Sequence, residues 1–98
     1  MRFKMARYTV RPDKLEEVKE AIAEFVDQIK ENEPATFYET YQEGSAPSFV
    51  HLMCFDSEES EDAHRNAAHT NTFTDRLYSS CENPPVFTDL SLLGSSEL

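Results

Sequence analysis

The order of patterned segments in the chain predicts an α+β fold of the ferredoxin-like kind, β-α-β-β-α-β. Three observations carry this. Phe49-Val-His-Leu-Met-Cys-Phe55 is apolar at nearly every position, so it reads as a strand covered on both faces, not one showing alternate residues to water. Leu15, Val18, Ile22, Phe25 and Ile29 recur at spacings of three and four, which makes one apolar helix stripe. The acid-rich run after Phe55 opens a second helical stretch carrying His64 and His69. The 98 residues suit one domain, 1–98, with a core of about 3–93 and a tail at 94–98. So short a chain has helix for one face of a four-stranded antiparallel sheet only. The bare face calls for a second copy, sheet to sheet, as a homodimeric α/β barrel.

Element by element, Phe3 to Val10 is rich in β-formers and stops at Arg11-Pro12. Asp13 and Glu16 have the spacing of a capping box, placing a helix start at about Lys14. Asn32 and Pro34 end that helix near Glu31. Thr36 to Gln42 is a strand with aromatics on both faces, and Gly44, Ser45 and Pro47 turn it into a hairpin with Ser48 to Phe55. Asp56 or Ser57 caps the next helix, and Glu58, Glu59, Glu61 and Asp62 suit its positive end. The helical pattern falters at Thr70-Asn71-Thr72 and resumes with Phe73, Leu77 and Cys81, as two short helices or one kinked helix would. Pro84-Pro85 closes it, and Val86 to Leu93 is a last strand.

Composition narrows the function. A net charge of −10 leaves no basic stripe for nucleic acid or for an anionic membrane. No run approaches the roughly 20 apolar residues of a membrane span, and the N-terminus lacks a signal-peptide core, so the chain is expected in the cytoplasm. Cys54 and Cys81 have no CxxC spacing and read as reduced thiols. With only two glycines, dinucleotide and P-loop sites are excluded, and no serine sits in a nucleophile elbow.

Three histidines remain. His64 falls in register with Ala63, Ala67 and Ala68, small residues that leave room beside it, and is a candidate base with a pKa near neutrality; the competing reading is a histidine bonded to a backbone carbonyl. His69 lies five residues on, which turns it by ~140° on a regular helix; this is not the spacing of a helical zinc pair, and no metal is expected. A kink would return His69 to the site as second candidate. His51 is mid-strand, with its face undetermined. Phe25, Tyr38, Phe73 and Leu77 join His51 as candidate substrate-lining residues, unless Phe25, Phe73 and Leu77 fill the space themselves.

The run from Phe3 to about Leu93 resembles the antibiotic biosynthesis monooxygenase domain, a family of dimeric α+β barrels. Ser57-Glu-Glu-Ser-Glu-Asp-Ala-His64-Arg-Asn-Ala-Ala-His69-Thr-Asn-Thr-Phe73 carries the likeness, with Leu77-Tyr78 and Pro85-Val86-Phe87-Thr88. The resemblance implies a pocket between sheet and helices and an oxygenase without metal, flavin or other cofactor. Its substrate would be a quinol-like or polyketide phenol, deprotonated by a pocket histidine and oxidised by O₂. The alternatives are a small-molecule-binding or stress-related barrel without turnover and, third, haem degradation. Family haem degraders carry Trp where this chain has His64, their haem-ligating His falls on Leu77, and their first-strand Asn falls near Ala6.

Overall fold

The computed structural model describes residues 1–97; Leu98, the end of the predicted tail, lies outside them. Four strands, β1 (Arg2–Thr9), β2 (Phe37–Gln42), β3 (Ser48–Phe55) and β4 (Val86–Leu90), alternate with three helices, α1 (Leu15–Asn32), α2 (Glu58–Asn66) and α3 (Ala68–Tyr78). Strand order across the antiparallel sheet is β2-β3-β1-β4, and α1 lies between β1 and β2 in the chain while α2 and α3 lie between β3 and β4. This is the ferredoxin-like arrangement the sequence predicts. Among the described residues no helix is long and apolar enough to cross a membrane.

Burial alternation fixes the faces. Tyr8 on β1 and Phe49 on β3 are paired in register and join Val18, Ile22, Phe25, Phe73 and Leu77 in one core cluster, so their parity faces the helices. Ala6, His51, Met53 and Phe55 share that parity. Phe3, Met5, Val50, Leu52 and Cys54 occupy the opposite face. There Phe37, Tyr41, Val86 and Leu90 are exposed, which leaves an apolar sheet surface on the side away from the helices.

The start of α1 and the end of β4 differ from the sequence reading, and the two short helices expected after Phe55 are present. Pro12–Lys14 forms a 3-10 turn ahead of α1, and Asp13 makes no capping bond. Pro12, with its fixed φ and no N–H, opens the turn itself and puts Asp13 inside it. β4 stops at Leu90, not Leu93, because its neighbour runs out: Leu90 pairs with Phe3 near the start of β1. The faltering pattern resolves as a break at Ala67, whose φ of −67° and ψ of 149° interrupt the helix. Ser57 caps α2, its Oγ accepting from the Ser60 N–H at 3.1 Å.

Candidate active site

A cavity of about 370 Å³ lies between the sheet and the α2–α3 pair. Its apolar walls come from Phe25 on α1, Met53 and Phe55 on β3, and Phe73 and Leu77 on α3. Phe25 and Phe73 stack on each other, with centroids 4.3 Å apart and planes within 4°. They make one wall and leave the space open. Exposed Arg65, Asn71, Tyr78 and Phe87 mark the mouth. Beside it Glu61 is buried by Arg2, Lys4 and Arg65, whose nitrogens lie 2.7, 2.8 and 2.8 Å from its oxygens. The hydrogen bonds from Lys4 and Arg2 hold that carboxyl down to about 2, and the same contacts tie α2 to β1.

His51 forms the floor. Only 1% exposed, it is held from both sides, Nε2 by the Tyr8 hydroxyl at 2.8 Å and Nδ1 by the Tyr38 hydroxyl at 2.7 Å. A neutral imidazole satisfies this pair by donating to one phenol and accepting from the other. Burial lowers its pKa to about 4 and pushes both tyrosines up, so the triad is neutral over the ordinary pH range. With both nitrogens used, His51 shapes the cavity and holds no free lone pair.

His64 is different. Its Nδ1 lies 3.0 Å from each oxygen of Glu33, and among the described residues its Nε2 has no protein partner while the ring lines the cavity. An Nδ1–H donated to a carboxylate leaves the Nε2 lone pair facing the cavity, the tautomer a general base needs. Burial lowers the His64 pKa, and the Glu33 hydrogen bond works against that shift. Burial pushes the Glu33 carboxyl up, but hydrogen bonds from His69 and His64 outweigh it and bring the carboxyl below its usual range. The Thr36 hydroxyl donates to Glu33 Oε1 at 3.0 Å and steadies it from behind. Thr70 completes the lining: 8% exposed, its Oγ1 is the one buried side-chain polar atom among the described residues without a partner.

The break at Ala67 also decides His69. It brings the ring to 6.5 Å from that of His64, with Nε2 hydrogen-bonded to Glu33. His69 nevertheless lines the neighbouring groove between α1 and α3 and not the sheet cavity. The 140° divergence expected for a regular helix therefore does not hold, and both histidines converge on one carboxylate. The alanines do not frame the gap as the sequence suggested, since Ala63 and Ala68 are exposed. Of the predicted lining residues, Phe25, Tyr38, His51, Phe73 and Leu77 all border the cavity.

Glu33, Tyr8 and Thr70 were missed as site residues. Glu33 is one of 19 acids and sits at the C-cap of α1, where only the fold brings it to α2. Thr70 carries no local signal at all. Tyr8 shares the parity of Phe49 and His51 across β1 and β3, a hint available once register is known.

Residues 3–84 match the family model described as NIPSNAP. No curated protein matches the chain at a significant level. Among solved structures, a candidate antibiotic biosynthesis monooxygenase from Nitrosomonas europaea is 25% identical, with 96% of this chain and 100% of that one covered and a TM-score of 0.86. One from Caulobacter crescentus is 17% identical over 95% and 90%, TM-score 0.86. A Mycobacterium tuberculosis protein is 19% identical over 97% of both chains, TM-score 0.86. The monooxygenase likeness in the sequence thus holds at the level of the fold, while the matching family model is a different one.

Proposed function

The chain belongs to the NIPSNAP family, and from that premise and the geometry of the cavity we propose that it is an oxygenase acting without a bound cofactor on a phenolic small molecule of quinol-like or polyketide type. One observation carries the reading: a histidine oriented through Nδ1 by a carboxylate presents an unused Nε2 to an aromatic-walled cavity. His64 takes the phenolic proton, the electron-rich anion reduces O₂, and the protein contributes a base, packing and exclusion of water. For an anthrone-type substrate a ring CH₂ becomes C=O, the second oxygen atom leaves as water, and the substrate supplies all the electrons. The monooxygenase names of the structural neighbours agree with this chemistry.

The active unit in this reading is a homodimer closed through the outer sheet face, where Phe37 and Val86 are 57% and 63% exposed. The free thiols Cys54 and Cys81 suit a reducing, cytoplasmic setting. The test is oxygen uptake with a panel of reduced quinones and anthrones in the presence of a chelator. His64→Ala should lower turnover by roughly 10²- to 10⁴-fold while leaving the circular dichroism spectrum unchanged. An equal rate in that variant removes His64 as base. Saturable substrate binding with no oxygen uptake would instead mark a binding protein without turnover.

A further inference from the structure

We propose that Glu33, His64 and His69 form a binding site for one divalent transition-metal ion of the zinc class. The three side chains come from the end of α1, from α2 and from the first turn of α3, and each offers one ligand atom within 4.8 Å of the others. His64 Nδ1 already lies 3.0 Å from the carboxylate oxygens, and His69 Nε2 contacts the same carboxylate. An ion held at ~2.1 Å by tetrahedral ligands needs those ligands about 3.4 Å apart, so the cluster reaches that spacing by side-chain adjustments on the order of an ångström.

Donor chemistry selects the ion. Two imidazoles and a carboxylate suit zinc, cobalt, nickel or ferrous iron, whereas calcium and magnesium prefer an all-oxygen shell. The side chains are 9–12% exposed, so a water can complete the shell while most competing solvent is kept out. The Thr36 hydroxyl on Glu33 Oε1 is the kind of outer partner that holds a ligating carboxylate in place. The break at Ala67 supplies the convergence: continued as one helix, α2 and α3 would carry the two rings to different faces. Without an ion, the inward ring protons of His64 and His69 satisfy the carboxylate; a divalent ion replaces them.

The site does not depend on the oxygenase reading, although one consequence does. An ion on Nδ1 of His64 leaves the ring proton on Nε2, where it blocks that nitrogen as a base.

The wild-type chain provides a direct test, because it has three histidines only. Titration with Zn²⁺ followed by NMR should shift the imidazole signals of His64 and His69 and leave those of His51, whose nitrogens are held by Tyr8 and Tyr38. Co²⁺ should give visible d–d absorption that saturates at one ion per chain. Glu33→Gln and His69→Ala should each weaken binding beyond the roughly 10- to 100-fold that loss of an outer-shell partner costs. Cys81→Ser, which removes the partly exposed thiol, should bind as the parent does. No saturable signal, movement of His51 in place of the other two, undiminished binding in both ligand variants, or loss in Cys81→Ser would each overturn the assignment.

Discussion

At the residue scale, three side chains of one cavity carry distinct and measurable consequences. In the proposed reaction His64 must be neutral to act as base, so turnover should rise with pH through an apparent pKa below about 6.5, since burial lowers it. Glu33→Gln removes the group that opposes this shift, so the limb should move further down while turnover falls. Thr70 Oγ1 is buried without a partner, a cost of about 1–3 kcal/mol in the free protein. Thr70→Val should therefore raise the melting temperature; a loss of stability would mean that the hydroxyl is satisfied after all. His51 bears on stability instead. Its pKa is near 6.5 when unfolded and about 4 when folded, so the unfolded chain binds the proton more tightly. The stability is present above about 6.5 and is lost as pH falls to about 4, by roughly 3 kcal/mol. Urea unfolding at pH 7 and pH 4 should show that loss, and His51→Gln should shrink it.

At the element scale, the α2–α3 break matters most, because it points two residues five apart at one carboxylate. α2 is short, nine residues, and cannot be stable on propensity alone. Its start rests on the Ser57 cap, and Ser57→Ala should cost about 1 kcal/mol, or roughly 4–8 °C in melting temperature for a domain of this size. An unchanged melting curve would show that Glu61, gripped by Arg2, Lys4 and Arg65, holds the helix without its cap. The same elements explain what was legible. Helix stripe and hairpin follow from local pattern, whereas the end of β4 depends on where β1 begins and the capping spacing at Asp13 and Glu16 misled because Pro12 starts its own turn.

At the scale of the whole molecule, the question is what covers the outer sheet face. Met53 is an inward residue packed toward the helices, so a charge there would test folding and not association. Leu52 lies half-buried on the outer face between Met5 and Glu39. If the proposed homodimer closes through this face, Leu52→Asp should give a monomer of unchanged secondary structure, since an unpaired charge in a sheet-to-sheet interface is costly. Sedimentation of the variant as the parent species would take that face out of the assembly.

Read alone, the chain carries the β-α-β-β-α-β order and the doubly apolar β3, because period-2 and period-3.6 patterns are local properties, and it offers His64, Phe25, Tyr38 and Phe73 as candidates without placing them. Tertiary structure alone decided the rest. Whether His51 faces helices or solvent depends on register, where a one-residue slip reverses every side chain. Which of 19 acids orients His64 depends on where α1 ends relative to α2. His69 meets Glu33 because one residue, Ala67, leaves helical geometry. Contacts between groups 31 and 36 residues apart are set by packing, and no local pattern encodes them.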